Sequence, residues 1–204
     1  ENDSENLKSK YCPKASIFEG TRLFDTKDKR KYDYPNCTTN NMFFSQAYSA
    51  RESIKLKQKH ELQNNFTYDL VIMSRIDMLW LKPIDITDLD PKYFYIPNWN
   101  QNNKKVKGTY LNNITTTERN YRKILDYWFI SSSKYIDDFS NLFDFIPNYI
   151  KYADKKKIKR SNHSLKKDFL VEIGLWDKVK YLFYEGYDFN VQRYFYEKTY
   201  NKEK

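Results

Sequence analysis

Phe66-Thr-Tyr-Asp-Leu-Val-Ile-Met-Ser-Arg-Ile-Asp-Met-Leu-Trp-Leu81 is the stretch on which the fold turns. Leu70 to Met73 is an unbroken apolar run that stops at Ser74. Strands buried on both faces read this way, and they sit in the middle of mostly parallel sheets. The expectation is a central strand. Charge follows at once, as Arg75 and Asp77. A second apolar run, Met78 to Leu81, is stopped by Pro83. Desolvating a lone carboxylate between two buried runs is costly, so Asp77 should have a cation beside it. The Arg-x-Asp then fits two readings. One is an internal ion pair that stitches the strand end. The other is a metal or phosphate site at the carboxyl end of a strand, where open α/β sheets bind ligands.

Outward from this stretch, the pattern alternates between helix and strand. Upstream, Phe43, Phe44, Ala47, Ala50, Ile54 and Leu62 recur at helical spacing, which predicts a helix from about Asn41 to Asn64. Thr39, Asn40 or Asn41 supplies a cap. Downstream, residues 84–91 read as a turn, and Tyr93 to Ile96 as a strand closed by Pro97. Residues 98–117 are polar with little pattern, as in disorder or in a functional loop such as a lid. Asp126-Tyr-Trp-Phe-Ile130 is a further buried strand, opened by a carboxylate. Ile136, Phe139, Leu142, Phe143, Ile146 and Ile150 form one apolar helical stripe, with a kink or a break expected at Pro147. Lys155 to Arg160 is a basic run that reads as a solvated loop. A helix from Leu165 to Ile173 ends at Gly174, and Val179 to Phe183 is a last strand. Tyr187 to Tyr196 is aromatic and charged, either helix or strand.

This order gives a single α/β domain over residues 42–196. A loop-rich segment (1–41) precedes it, its first ten residues a frayed lead-in, and a polar tail (197–204) follows. The 204 residues suffice for a substantial core. Aromatic content of 18% excludes a disordered chain despite a mean hydropathy of −0.91. With only 4 Gly, neither the P-loop nor the dinucleotide fingerprint can be built. The net charge of +9 favours an anionic partner, although a Lys/Asn/Tyr/Ile-rich background produces such an excess by drift alone. Cys12 and Cys37 allow one disulfide and fix no compartment. No run of 18 apolar residues is present and no signal peptide is visible, so a cytoplasmic location is expected. A start at Glu1 without Met fits a piece of a longer protein.

The two histidines are unequal. His60 lies among Lys and Glu late in the first long helix and reads as a surface residue. His163, in Ser161-Asn-His-Ser164, gains interest because Asp77 and Asp126 also stand at ends of buried runs. A carboxylate, an imidazole and a diphosphate can share a divalent cation. No zinc spacing and no Ser-His-Asp or Cys-His arrangement occurs.

Taken together, Tyr68-Asp-Leu-Val-Ile-Met-Ser-Arg-Ile-Asp77, Asp126-Tyr-Trp-Phe-Ile-Ser-Ser-Ser133 and Ser161-Asn-His163 resemble a group of nucleotide-sugar glycosyltransferases. These enzymes occur in bacterial polysaccharide loci and large DNA viruses. The resemblance covers roughly residues 42 to 196 and implies a GT-A-like domain. That is a mixed, mainly parallel sheet flanked by helices, here with its N-terminal βα unit cut off or reduced. It implies donor binding by Arg75, Asp77 and Arg193, and a Mn2+ or Mg2+ ion held by Asp77 and His163. Asp126 would face the acceptor as general base. Arg75 stands where the family carries an acid, a departure that bears on metal use. The partners implied are a nucleotide-sugar donor and a glycan or glycoprotein acceptor. Trp99, Tyr110 or Trp128 could stack on sugars, although core packing fits Trp128 better. The alternatives are a nucleic-acid-binding domain, resting on the positive charge and abundant Tyr and Phe, and an inactive relative that only binds glycans. No RNA- or DNA-binding motif supports the first.

Overall fold

The computed structural model describes residues 2–19, 22, 24, 39–98, 124–158, 160–185 and 188–191. The elements are α1 (Asn2–Tyr11), α2 (Thr39–Asn64), β1 (Val71–Ser74), β2 (Met78–Trp80), β3 (Phe94–Asn98) and β4 (Trp128–Ser131). There follow α3 (Ser133–Phe139), α4 (Leu142–Lys155), α5 (Asn162–Glu172), a 3-10 turn (Trp176–Lys178), β5 (Val179–Tyr184) and β6 (Phe189–Val191). The chain is mixed α/β, as the sequence implied.

The main sheet has four strands in the order β1-β4-β3-β5. It is mixed, but its pairings correct the expectation of a mainly parallel sheet. β4 runs antiparallel to both β1 and β3, and only β3 and β5 pair in parallel. The strands β1, β3 and β5 nevertheless share a direction, with β4 inserted between the first two. An apolar run carries no arrow, so its sequence cannot tell which way a strand enters a sheet.

A second correction concerns β1. It lies at an edge among the described residues, paired with β4 from Val71↔Ser131 to Ser74↔Trp128. Its burial alternates, and Ile72 is 40% exposed. Four apolar residues in a row do not separate a doubly buried strand from an edge strand with one greasy outer face.

Helices cover one face of the sheet. Phe43 and Ala47 of α2, Ile136 and Phe139 of α3, and Leu165 and Phe169 of α5 join Phe94, Ile96 and Phe129 in one core. The opposite face carries no helix among the described residues, contrary to the flanking expected. The antiparallel ribbon β2–β6 packs there, with Phe189 and Val191 against Trp128 and Leu182. Trp128 is 1% exposed, as expected of a core residue, and its ring lies 5.7–5.8 Å from those of Trp80, Phe183 and Phe189. Such aromatic pairs add roughly 0.5–1.5 kcal/mol each beyond area burial.

Several local expectations shift. Asn2–Tyr11 form α1 where a frayed lead-in was expected, although its side chains from Glu5 onward are exposed. Leu62, placed on the apolar stripe of α2 by spacing, is 84% exposed; the inward positions at this end of the helix are Lys57 and Glu61. β3 continues through Pro97 to Asn98, at a register shift where the missing N–H is tolerated. The stripe of residues 136–150 breaks at Ser140–Asn141, not at Pro147, which lies inside α4. The Asn141 amide donates to the Asp138 carbonyl, a local bond that competes with the helix. Gly174 ends the α5 region at φ +69°, a conformation that favours glycine. The basic run is exposed over residues 155–158, but Arg160 is buried. Its guanidinium donates to Asp154 at 2.7 Å and Asn40 at 2.5 Å, tying the start of α2 to the α4–α5 connection. No helix among the described residues is long and apolar enough to cross a membrane.

Candidate functional site

The shared direction of β1, β3 and β5 defines a carboxyl end of the sheet, and the antiparallel β4 begins at that same end. Ser74 pairs with Trp128, so the residues after β1 and before β4 meet there. The Arg75 amide donates to the Tyr127 carbonyl at 3.1 Å, extending the ladder by one bond. This bond fixes the backbone of Arg75 beside Asp126.

Arg75 and Asp77 form the ion pair expected, although both side chains are about a third exposed and Asp77 is only partly desolvated. Nε donates to Oδ1 at 2.8 Å and Nη2 to Oδ2 at 2.5 Å, a bidentate fork. The guanidinium carbon also lies 5.6 Å from the centre of the Tyr127 ring. Burial disfavours the charge on Arg75, but Asp77, Asp126 and Tyr127 outweigh it and hold its pKa above the ordinary value.

The carboxylate of Asp126 is enclosed, with its side chain 6% exposed. Lys166 donates to its Oδ2 at 2.7 Å and to Gln46 Oε1 at 3.0 Å. His163 Nδ1 stands 3.5 Å from Oδ1 and 2.7 Å from the Ile124 carbonyl. A carbonyl only accepts, so Nδ1 carries the proton in this arrangement and Nε2 is the basic ring nitrogen. Burial pushes the Asp126 carboxyl up. Lys166, His163 and Arg75 outweigh burial, and the pKa lies below its ordinary 3.8. Asp126 is therefore ionised at neutral pH.

The placement of His163 and Lys166 is local. Ser161 caps α5, its Oγ accepting from the Ser164 amide at 3.0 Å. The two side chains stand three positions apart and share a helix face. The Ile124 amide donates to the His163 carbonyl at 3.3 Å, locking the α5 start to the approach of β4.

Beside this cluster lies a cleft of about 350 Å³ between α2 and the end of β1 and β4. Among the described residues its charged lining is Arg75, Asp126 and Lys166, two cations to one carboxylate. Ser45, Ser49 and Ser53 of α2 form a hydroxyl row along one wall at a spacing of four. The hydroxyls of Ser49 and Ser53 donate back to the carbonyls of Ser45 and Ser49. Their oxygens remain able to accept. Met73, Phe129, Phe139 and Leu142 give the cleft an apolar floor.

The sequence-derived site residues thus fare differently. Asp126 and His163 are neighbours, and Arg75 joins Asp77 to them; Asp77 and His163 do not line the cleft. Arg193, Trp99 and Tyr110 lie outside the described residues, as do Cys37 and most of residues 98–117. Cys12 is a free, exposed thiol. His60, read as a surface residue, stacks on Tyr68 with ring centres 6.0 Å apart, away from the cluster. Sequence reasoning missed Lys166 and the serine row. Both carry a signal: Lys166 is three residues after His163, near a carboxylate that needs a cation, and the serines recur every four residues along a helix.

The donor set does not suit the Mn2+ or Mg2+ expected on Asp77 and His163. Both oxygens of Asp77 are held by Arg75, and those of Asp126 face Lys166 and His163. Among the described residues no group of three or more His, Cys, Asp or Glu side chains could hold a metal ion. A divalent cation prefers several oxygen ligands, and here it would meet two fixed positive charges.

The chain matches no protein-family model and no curated protein.

Proposed function

We propose that this chain is a glycosyltransferase that moves a sugar from a nucleotide-diphosphate donor to a hydroxyl of a glycan or glycoprotein. One observation carries the reading. Arg75, Asp126, His163 and Lys166, scattered through the text, gather at the carboxyl end of three co-directional strands beside a cleft with excess positive charge. Open α/β sheets bind ligands at that end. The cleft chemistry also fits the ligand: cations for a diphosphate, a hydroxyl row for sugar or ribose, and an apolar floor.

In the transfer, the bond from the anomeric carbon to the diphosphate oxygen breaks through an oxocarbenium-like transition state. A bond to the acceptor oxygen forms, and the acceptor hydroxyl loses its proton. Asp126 is the one carboxylate lining the cleft among the described residues, and its ionised state is the one a base needs. Its low pKa makes it a weak base, which puts more of the rate on stabilising the departing diphosphate. Arg75 and Lys166 are the groups available for that task among the described residues.

The test is a donor screen. The protein is incubated with UDP- and GDP-linked sugars and a panel of glycan acceptors, and free UDP or GDP is measured. Release with at least one donor is expected, and Asp126→Asn should bind that donor yet release about 10²–10⁴-fold less nucleotide. No release with any donor, together with tight and salt-sensitive oligonucleotide binding, moves the assignment to a nucleic-acid-binding domain.

A further inference from the structure

We infer that the diphosphate is held by an arginine clasp and without a divalent cation: Asp77 aims Arg75, and Arg75 with Lys166 takes the negative charge. The inference rests on the glycosyltransferase reading and specifies how its donor is bound. Asp77 uses Nε and Nη2 of Arg75, which leaves the Nη1 edge for another acceptor. A bidentate partner on one edge fixes the plane of a guanidinium, so the other edge is presented in one orientation. The backbone of Arg75 is fixed as well, through its bond to Tyr127. The residue lines the cleft, whereas Asp77 does not. In a metal-dependent site the order is reversed: carboxylates face the ligand and the ion lies between them and the phosphate.

Lys166 completes the clasp. Its ammonium is held by Asp126 and Gln46 at the cleft wall, so it is positioned before any ligand arrives. As the sugar leaves, charge builds on the diphosphate, and two cations already held at the cleft stabilise it there. A metal ion inserted at the same place would lie against Arg75 and Lys166 and would have to displace each from its carboxylate. The arrangement favours the anion over the cation.

Binding of UDP and GDP to the intact chain, by calorimetry and by melting-temperature shift, tests this in two buffers, one with EDTA and one with MnCl2. The expected result is an affinity that agrees within about twofold between the buffers for whichever nucleotide binds. Arg75→Ala should weaken it at least tenfold in EDTA, and Arg75→Lys should recover only part, because an ammonium lacks the fork. Asp77→Ala should weaken it by a few fold, since the guanidinium loses its aim and keeps its charge. Binding seen with MnCl2 and lost in EDTA overturns the clasp and leaves the transferase reading standing. Binding in neither buffer removes the donor site, and the clasp with it. The wild-type comparison alone decides between these results, whatever the variants do to folding.

Discussion

Two buried carboxylates in this protein, Glu61 and Asp126, have the same electrostatic description and different surroundings. Glu61 accepts from Lys57 at 2.8 Å, from Ser133 Oγ at 2.6 Å and from the Tyr68 amide at 2.9 Å. Lys57 also bonds to Ser133 and stands 2.8 Å from Asp137. Burial pushes the Glu61 carboxyl up, but Lys57, Ser133 and the Tyr68 amide outweigh it and hold its pKa below the ordinary 4.5. This knot ties α2 to the start of α3 and to the approach of β1, and none of its members lines the cleft. Asp126 is also held low, yet its cations border an open cleft. A depressed carboxylate pKa is thus shared by a fastener and a candidate site. Access and the excess of positive charge separate them.

The largest expected effect tests that contrast through Asp126. Asp126→Ala leaves Lys166 buried without its counter-charge, which should cost about 3–5 kcal/mol in urea unfolding. Adding Lys166→Met should return most of that loss, because no charge is then stranded. If the double variant is no more stable than the single one, the pair is not the unit described here.

Glu61→Gln should cost less, about 1.5–3 kcal/mol, because Gln keeps an acceptor for Ser133 and the Tyr68 amide, and Lys57 keeps Asp137. Nucleotide release by this variant should match wild type below both melting temperatures; a matching loss would place the knot within the site. The acid limb sharpens the same comparison. Glu61 and Asp126 have folded pKa values below their unfolded ones. The unfolded state therefore binds more protons as pH falls, and the stability they contribute is complete above the ordinary carboxylate range. It is lost as pH drops through about 4.5 and below, towards the folded values. Melting temperature plotted against pH should fall over that window in wild type and fall less in Glu61→Gln.

The smallest effect is expected outside both clusters. Ile72→Thr, on the outer face of β1, should change stability by no more than about 0.5 kcal/mol in the same urea assay. A larger loss would show that this edge is covered by something in the full chain.

Much of the secondary structure was legible. α2, β4, α5 and β5 were readable from runs and spacings, because periodicity reports burial and burial decides these elements. The Arg75–Asp77 pair was readable as one of two alternatives, since a desolvated carboxylate demands a cation. The sheet was not readable in the same way. Two strands of like composition can pair in either direction, and the text placed β1 in the middle when it lies at an edge among the described residues. The helix break moved from Pro147 to Ser140–Asn141 because a local side-chain bond competed where the proline did not.

What the sequence determined by itself was the α/β class, most element positions, and a carboxylate at the mouth of two apolar strands. Apolar spacing and the cost of burying charge act locally, so they leave a trace in the text. Only the tertiary structure decided that Arg75, Asp126, His163 and Lys166 share one neighbourhood, that Asp77 belongs to an arginine, and that the cleft has more cations than carboxylates among its charged lining. Those facts depend on which strand ends and helix starts come together, and pairing direction and register set that without a local signal.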